Sequence, residues 1–497
     1  MLTFLLNDKT VELASIRPTL TVLEYLREHA KLTGTKEGCA SGDCGACTAV
    51  IAEPDASGQS LHWRSINTCI TFLPALHGKQ LITVEFLANN DTLHPVQQAM
   101  VDHHGSQCGF CTPGFVMSMF ARYQQRQPIT NHEVETILSG NLCRCTGYRP
   151  IVDATLAACE QSTQSAFQTD KFSDSEQHIL KTLTAIAPNT ALDSVFVPAN
   201  HTQLASYRQA HPQARLVAGG TDIALESTQL LRDFPGVIYL GNVAELHQLE
   251  AGEQGLRIGA GVSYSTMMPL LLKHFPDLRE LLERLGSLPI RNQGTMGGNV
   301  ASASPIGDTP PVLIALNATV RLTNGTQVRD IPAAEFFTGY RQTQMQTDEW
   351  IESLFLPYLP DNTQLRAYKI SKRFEDDIST VCVVFKLTLA ESQVVALTTG
   401  FGGVAATPVA AAALEQQITG CNWHDNSTQT IGINALHSAF SPISDVRASA
   451  DYRQTMIVNL WRRFWMETQQ HNPILTRVGA NSIKTVTVSD VATGVVP

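Results

Sequence analysis

Cysteine placement constrains this chain more than any other feature of its sequence. Eight of the 11 cysteines precede residue 146, and three of them fall within nine residues of the glycine-rich stretch "GCASGDCGAC". With one later cysteine they follow the pattern C-x4-C-x2-C-x21-C, the plant-type ferredoxin spacing for a [2Fe-2S] cluster. The predicted ligands of this first set are Cys39, Cys44, Cys47 and Cys69.

The glycines of this stretch suit the same chemistry. A cluster needs thiolates that converge from one loop and backbone N–H groups that point at negatively charged sulfur, and residues without a Cβ permit both. A zinc site is the alternative, but zinc sites usually combine one short Cys pair with a second short Cys or His pair. Because Cys69 stands alone, the spacing favours an iron-sulfur cluster.

The second set consists of two short cysteine pairs separated by 31 residues. A proline, Pro113 or Pro150, follows each pair at the predicted start of a helix. Two such junctions facing each other would offer four thiolates to one metal centre, with helix N–H groups nearby to favour its negative charge. Taken alone, this spacing suits zinc nearly as well as iron. The members are Cys108, Cys111, Cys143 and Cys145.

Composition and charge narrow the function further. A net charge of -10 leaves no general basic footprint, which argues against nucleic acid as the main partner. The N-terminus reaches Asp8 and Lys9 before an apolar run of signal-peptide length develops, so we expect a cytoplasmic protein. The remaining cysteines, Cys159, Cys382 and Cys421, are expected to be buried apolar residues.

Apolar periodicity predicts the local structure of the N-terminal part. A hairpin turning at residues 7–9, an amphipathic helix over 19–30 and strands over 46–54 and 80–87 would form a small sheet with a helix across it. From about residue 93 the period becomes helical. We predict four helices there, the third capped by Asn131 and the fourth starting near Pro150.

The later part reads as strands mixed with helices, so the fold class is multidomain α+β. The uncharged run 392–414 is long enough to span a bilayer, but glycines and Pro408 interrupt it, and we predict a strand, a glycine turn and a packed helix. Gly400, Gly402 and Ala405 match G-x-G-x-x-A, with Asp425 at a suitable distance. Pro408 would fall inside the helix that this dinucleotide motif must open, which argues against it.

In this order, "EGCASGDCGAC" and "QCGFCTPG…NLCRCTGY" resemble the iron-sulfur part of the molybdenum hydroxylases, the family of xanthine dehydrogenases and aldehyde oxidases. The resemblance implies that the first set holds one [2Fe-2S] cluster and the second set holds another, closer to the molybdenum cofactor. It also implies that Gln107 contacts the molybdopterin, which another domain mainly binds.

The resemblance continues in "LVAGGTDIAL" and "PIRNQGTMGGNVASASPIGDTPPV", which are similar to the two FAD-binding segments of the family. Paired glycines let backbone N–H groups approach a pyrophosphate, and short hydroxyl and amide side chains add donors. "YKISKRFEDDIS" resembles the loop near the flavin ring where nicotinamide docks. Animal members carry phenylalanine where this chain has Leu285, so aromatic stacking is not implied there. The FAD contacts implied by position are Leu216, Val217, Ala218, Gly219, Gly220, Thr221, Asp222, Ile223, Leu285, Thr295, Gly298, Asn299, Ser302, Asp308, Ile351 and Lys369.

The family pattern also gives the expected domains. They are a ferredoxin-like β-grasp [2Fe-2S] domain, a four-helix [2Fe-2S] domain, a linker, a vanillyl-alcohol-oxidase-type FAD domain, a C-terminal α/β domain and a tail. The corresponding ranges are 1–88, 89–163, 164–191, 192–360, 361–470 and 471–497.

The implied activity needs a second polypeptide, because nothing in this chain is suited to oxidise a substrate and no catalytic residue is expected on it. The resemblance implies the iron-sulfur and FAD subunit of a split enzyme, paired with a molybdenum-binding large subunit in an α2β2 heterotetramer. Xanthine or hypoxanthine would be hydroxylated at molybdenum on the partner, and electrons would pass through both clusters and FAD to NAD. The open alternatives are an equivalent subunit acting with an aldehyde or aza-aromatic substrate or carbon monoxide, and a zinc-stabilised scaffold without redox activity.

Overall fold

The computed structural model describes residues 1–163 and 170–469. The tail predicted over 471–497 lies outside the described residues, as do the first residues of the predicted linker.

The first domain is a five-stranded sheet with a short helix across it. Its elements are β1 (Leu2–Leu6), β2 (Lys9–Leu13), α1 (Val22–Glu24), β3 (Thr48–Pro54), β4 (Leu61–Asn67) and β5 (Gln80–Ile82). The predicted hairpin forms with Asn7 at a φ of 58°, and β1 also pairs in parallel with β5, giving the order β2-β1-β5-β3-β4. Strand β4 was not predicted, although its alternating burial follows its sequence pattern. One π-helical turn, Tyr25–His29, extends α1.

The second domain contains the four predicted helices. They are α2 (Pro95–Asp102), α3 (Thr112–Tyr123), α4 (Asn131–Leu138) and α5 (Arg149–Thr163). Thr130, not Asn131, caps α4, because its hydroxyl accepts from Glu133 N while the Glu133 carboxylate accepts from Thr130 N at 2.7 Å. This reciprocal capping box uses two otherwise unpaired donors. Ten successive residues of α3 are buried among α2, α4, α5 and the sheet, so α3 is the centre of the domain.

The predicted linker contains a docked helix, α6 (Lys171–Thr184). Its apolar face joins the core of the helical domain through Phe172, Ile179, Leu180 and Leu183. Asp170 caps α6 by accepting from Ser173 N at 2.9 Å, and it also accepts from Gln124 and from His94 Nε2. Burial opposes ionisation of Asp170, but these hydrogen bonds outweigh it and hold its pKa below the usual value.

We expect Asp170→Asn to lower the free energy of unfolding of the full chain by about 1–3 kcal/mol at pH 7, since it replaces a charged acceptor within a buried network. The pKa of Asp170 is depressed in the folded state, so its contribution is present above the unfolded pKa of about 3.9 and is lost as pH falls below it. The two proteins should therefore converge in acid. Denaturant titrations at pH 7 and below pH 4 measure this, with the exposed Asp174→Asn in the same helical turn as the control.

The third domain begins with a parallel β-α unit. Its first elements are β6 (Thr190–Ala191), β7 (Val195–Val197), α7 (His201–Ala210), β8 (Arg215–Val217), α8 (Ala224–Thr228) and β9 (Val237–Tyr239). Strands β7 and β8 flank β9 in parallel, in the order β6-β7-β9-β8. This places the loop after β8 at the carboxyl edge of a parallel sheet, where ligands commonly bind.

The rest of this domain is an antiparallel sheet surrounded by helices. Its elements are β10 (Leu249–Ala251), β11 (Gly255–Gly259), α9 (Tyr264–His274), α10 (Arg279–Glu283), α11 (Leu288–Gln293), α12 (Met296–Ala301), α13 (Thr309–Ala315), β12 (Thr319–Thr323), β13 (Val328–Pro332), α14 (Ala333–Phe336), β14 (Phe337–Gly339), β15 (Gln342–Thr343) and β16 (Trp350–Pro357). The sheet order is β10-β11-β16-β12-β13. One continuous apolar core joins both sheets and the helices between them.

The fourth domain packs three helices on an antiparallel sheet. Its elements are β17 (Thr363–Ile370), β18 (Val381–Ala390), β19 (Gln393–Gly402), α15 (Ala412–Ile418), α16 (Asn426–Ala439) and α17 (Ala450–Glu467). Strand β19 runs through the G-x-G pattern, where a Cβ on Gly400 would lie 1.9 Å from Pro311 O. That glycine serves close packing. The run 392–414 forms the predicted strand and turn, but it contains only the first three residues of the helix, α15. Among the described residues, no helix has the length and apolarity needed to cross a membrane.

Candidate iron-sulfur and flavin sites

The four cysteines of the first set meet between β3 and the turn after β4. The Cys47 and Cys69 sulfurs are 3.3 Å apart and buried, and Cys39 Sγ accepts from the N–H groups of Ser41 and Cys44 at 3.4 Å. Positive φ angles at Ala40, Gly42 and Gly45 wrap the loop around them. The loop therefore supplies the convergence and the inward N–H groups expected for this site.

Hydrogen bonds between the thiols lower the pKa of two members of the set, Cys39 and Cys47, and raise the pKa of the two that donate to them, Cys44 and Cys69. Hydrogen bonds with the Cys44 and Cys69 thiols lower the pKa of Cys39, and a hydrogen bond with Cys69 lowers the pKa of Cys47 despite burial. Thiolate is the form of cysteine that binds metals. These four residues fit a [2Fe-2S] cluster.

The second set joins the two predicted loop-to-helix junctions. The Cys108 thiol hydrogen-bonds with Cys145, and the Cys111 thiol with Cys143, so each contact links one member of each short pair. Cys111 stands at the N-cap position of α3, and α5 begins just after the second pair. Two thiol pairs suit a cluster in which each of two irons takes two thiolates. Cys108, Cys145 and the neighbouring Gln107 are exposed, so this site lies at the surface.

The two predicted flavin segments lie against each other. Gly219, in the loop after β8, approaches Gln293 so closely that a Cβ would lie 1.9 Å from Gln293 O. Gly220 has a φ of 77°. Within the described part of the chain, the backbone N–H groups of residues 219–223 donate to no other protein group. This strip of open donors, which a side chain at Gly219 would disrupt, fits a pyrophosphate.

The second flavin segment forms a hydrogen-bonded turn. Thr295 Oγ1 accepts from Gly298 N at 2.9 Å, Asn299 Oδ1 accepts from Thr309 Oγ1 at 2.6 Å, and Ser302 Oγ donates to Asn299 O at 3.0 Å. The side chains of this segment are therefore fixed beside the loop after β8.

A buried ion pair connects the remaining predicted contacts. Lys369 Nζ donates to Asp308 Oδ2 at 2.6 Å and to Arg284 O at 3.1 Å, next to Leu285. Asp308 also accepts from Ser379 Oγ at 2.5 Å. Ile351 lies on β16 in the core, where it is 4% exposed.

Cys47 and Cys69 of the first set share an apolar cluster with Val217 and Ile223 of the first flavin segment. The loop of the set is also hydrogen-bonded to residues that adjoin this segment and the second set. Gln229, just after α8, donates to Cys39 O at 3.3 Å and to Ala40 O at 2.9 Å, while Leu142 N donates to Cys44 O at 2.9 Å. Burial raises the pKa of Asp376 to about 6, and so does repulsion from Asp43, which lies in the loop of the first set. Asp376 belongs to the loop between β17 and β18 that was predicted to lie near the flavin ring. The first set therefore lies between the other two sites.

Three supporting residues were missed from the sequence. Asn67 donates to Gly42 O at 2.8 Å, Asn141 donates to Gly45 O at 3.1 Å, and Arg284 binds Lys369 O, Ser371 Oγ and Phe374 O. Asn141 stands inside the quoted motif "SGNLCRCTGY". Its neighbours Cys143 and Cys145 could be predicted as ligands from the spacing of their thiols, whereas a single asparagine belongs to no spacing pattern.

Four family models match the chain in succession. They are described as "2Fe-2S iron-sulfur cluster binding domain" over residues 4–73, "[2Fe-2S] binding domain" over 83–156, "FAD binding domain in molybdopterin dehydrogenase" over 189–359 and "CO dehydrogenase flavoprotein C-terminal domain" over 366–468. The chain thus carries two [2Fe-2S] domains and an FAD-binding domain.

Similar curated proteins include xanthine dehydrogenases from three organisms. The chain is 33% identical to the one from Emericella nidulans over 96% of its own length, 31% identical to xanthine dehydrogenase 1 of Arabidopsis thaliana over 90%, and 30% identical to xanthine dehydrogenase/oxidase of Mus musculus over 94%. It covers 39%, 38% and 39% of these relatives. The chain is an iron-sulfur and FAD chain of the molybdenum hydroxylase family.

Solved structures share the fold of about half of the chain. A chain of Cu,Mo-CO dehydrogenase superposes with a TM-score of 0.52 at 23% identity, covering 54% of this chain and 95% of that one. A chain of quinoline 2-oxidoreductase from Pseudomonas putida 86 gives 0.51 at 23% identity, covering 56% and 97%.

Proposed function

We propose that this chain is the electron-transfer and NAD-reducing subunit of a xanthine dehydrogenase. One observation carries the proposal: Cys47 and Cys69 of the first cysteine set pack against Val217 of the first flavin segment, and the loop of this set is hydrogen-bonded to Leu142, beside Cys143. When bound, [2Fe-2S] clusters carry single electrons, and a flavin can accept single electrons and pass a hydride to NAD. The exposed second set is the entry point and the flavin loop the exit.

The chain's own residues hold this relay in place. Cys39, Cys44, Cys47 and Cys69 would hold the middle cluster, and residues 216–223 with Asp308 and Lys369 would bind the flavin. Gln107, beside Cys108, would contact a molybdopterin carried by a molybdenum-binding partner in an α2β2 assembly. Xanthine or hypoxanthine would be oxidised on that partner.

The choice of purine rests on the curated relatives, which are named xanthine dehydrogenases and match 90–96% of this chain. The second candidate is an equivalent subunit for carbon monoxide or an aza-aromatic ring, favoured by the solved structures of the same fold. Those chains match only 54–56% of this one, which carries its cluster and flavin domains together.

We expect the purified full chain to be coloured, with about four irons and one flavin per polypeptide. Visible absorption, iron and zinc analysis and release of the flavin measure this directly. A colourless chain that contains zinc and no flavin would overturn the relay and support the scaffold alternative.

Substrate choice is tested on the complex. Co-purification with mass spectrometry and molybdenum analysis identifies the partner, and a panel of xanthine, hypoxanthine, aldehydes, quinoline and carbon monoxide is assayed with NAD or oxygen. Turnover of xanthine with NAD supports the proposal. Turnover of quinoline or carbon monoxide alone supports the second candidate.

A further inference from the structure

The two cysteine loops share one buried side chain, Asn141, which is 2% exposed. Its Nδ2 donates to Gly45 O at 3.1 Å and to Thr48 Oγ1 at 3.2 Å, and its Oδ1 accepts from Ser118 Oγ at 2.6 Å. Gly45 lies between two ligands of the first set, and Ser118 lies on α3, which begins after Cys111. One amide therefore ties the first loop to the helical domain.

A backbone hydrogen bond lies directly beside this amide. Leu142 N donates to Cys44 O at 2.9 Å, and Leu142 immediately precedes Cys143. A single hydrogen bond thus joins Cys44, a predicted ligand of the first cluster, to Leu142, which is the neighbour of Cys143 in the second set.

The surrounding backbones are in close contact. A Cβ on Gly45 would lie 2.2 Å from Gly140 O, and a Cβ on Gly114 would lie 2.2 Å from Gly45 O. Neither position has room for a side chain, so the two domains approach backbone to backbone at this point. The Phe110 ring, between Cys108 and Cys111, also lies 3.7 Å from where a Cβ on Gly38 would be.

We propose that Asn141 is a positioning residue that maintains the hydrogen bond between Leu142 and Cys44, and that this bond is the route of the electron between the two clusters. The proposal rests on the proposed function, because it requires a cluster in each set. With both clusters bound, one electron would pass from the cluster held by the second set, which would be oxidised, to the cluster held by the first set, which would be reduced. No proton moves and no covalent bond forms or breaks.

The Asn141 amide is suited to this role because it holds the backbone on both sides of the hydrogen bond from Leu142 N to Cys44 O. It holds Gly45, the next residue after Cys44, and its own backbone precedes Leu142. Without the amide, Gly45 O and Thr48 Oγ1 lose a buried donor, and the Cys44 carbonyl is free to turn away from the Leu142 N–H. A longer path through side-chain contacts would then be the remaining connection.

The test uses the full chain with both clusters assembled. Asn141→Ala is compared with Ser118→Ala, which removes only the hydroxyl that orients the amide, and with Asn131→Ala, an exposed asparagine on α4 as the matched control. Low-temperature EPR of the reduced protein measures each cluster signal and the magnetic interaction between them. Rapid freeze-quench after addition of limiting dithionite follows how quickly the two signals reach equilibrium.

We expect Asn141→Ala to keep both signals while the magnetic interaction weakens and the equilibration rate falls by about tenfold or more, as for loss of other outer-shell partners of metal sites. Ser118→Ala should slow it less, and Asn131→Ala should not change it. Unchanged interaction and rate in an Asn141→Ala protein with both clusters would overturn the inference. If that variant does not assemble, wild-type rates in folded Ser118→Ala overturn it instead. Absence of both cluster signals from the wild-type chain would refute the proposed function itself.

Discussion

Replacing Cys143 with serine is expected to abolish electron transfer from a reduced purine site to NAD while leaving NADH oxidation by a dye intact. Cys143 forms the thiol contact with Cys111 and follows Leu142 directly. Its loss leaves Cys111 without its thiol partner, and a hydroxyl is a poor ligand for iron where a thiolate is required. Substrate-to-NAD turnover should fall at least about 100-fold, the upper range found when support for a metal site is lost.

The dye reaction separates the relay from the flavin. NADH oxidation by a dye needs only the flavin site, which is built from residues after 215 and shares no ligand with the second cysteine set. It should remain within about twofold of wild type, with flavin content unchanged, since substitutions remote from a site usually have small effects. EPR of the reduced variant should show the plant-type cluster signal alone.

Cys421→Ser is the matched control. Cys421 was predicted to be buried like Cys159 and Cys382, but it is partly exposed in the fourth domain, where its Sγ donates to Gln417 O at 3.3 Å. A serine hydroxyl can replace this contact. Both activities should persist in this control. If Cys143→Ser reduced both activities equally while flavin and the complex were retained, the proposed order of carriers would be wrong.

The sequence was most informative where chemistry needs a fixed spacing. The eight cysteines and the paired glycines could be recognised in the sequence, because few other residues can bind a cluster or allow two backbones to approach closely at those positions. The structure brings each predicted cysteine set together. The first hairpin and the long amphipathic helices could also be predicted from the sequence. The N-cap of α4 is Thr130, one residue before the predicted Asn131, because Thr130 forms a capping box with Glu133.

What the sequence did not disclose depends on contacts between distant segments. Asn141 and Arg284 act by hydrogen bonds to backbone carbonyls of other loops, which leave no periodicity or spacing. The docked helix α6 could be predicted only in its second half, over "HILKTLTAI" at 178–186, because the polar composition of its first half resembles a linker. Its four buried residues pack on the core of the helical domain. Short strands such as β8 and β9 are only three residues long, too short for a periodicity to show, and they are defined by parallel pairing between segments distant in the sequence.

Gly219→Ala is expected to remove the flavin while leaving both iron sites in place. A Cβ there would lie 1.9 Å from Gln293 O, 2.5 Å from Gln293 C and 2.9 Å from Gly294 Cα, all of them backbone atoms. No rotamer change can relieve an overlap with backbone, so the loop after β8 must move away from the second flavin segment. Overpacking of this kind costs about 1–3 kcal/mol, which corresponds to flavin binding weaker by about 5- to 150-fold.

The measurement is the flavin released per chain on denaturation, beside iron content and the free energy of unfolding. Gly252→Ala is the matched control, since it lies in the exposed turn between β10 and β11, where the nearest atom to a new Cβ is 3.5 Å away. Because no cysteine ligand belongs to the loop after β8 or to the second flavin segment, iron should stay within error of wild type. Flavin retained in full by Gly219→Ala would show that the open N–H groups of residues 219–223 are not its pyrophosphate site. Loss of iron and flavin together would instead indicate that the domain has unfolded, which the unfolding free energy distinguishes.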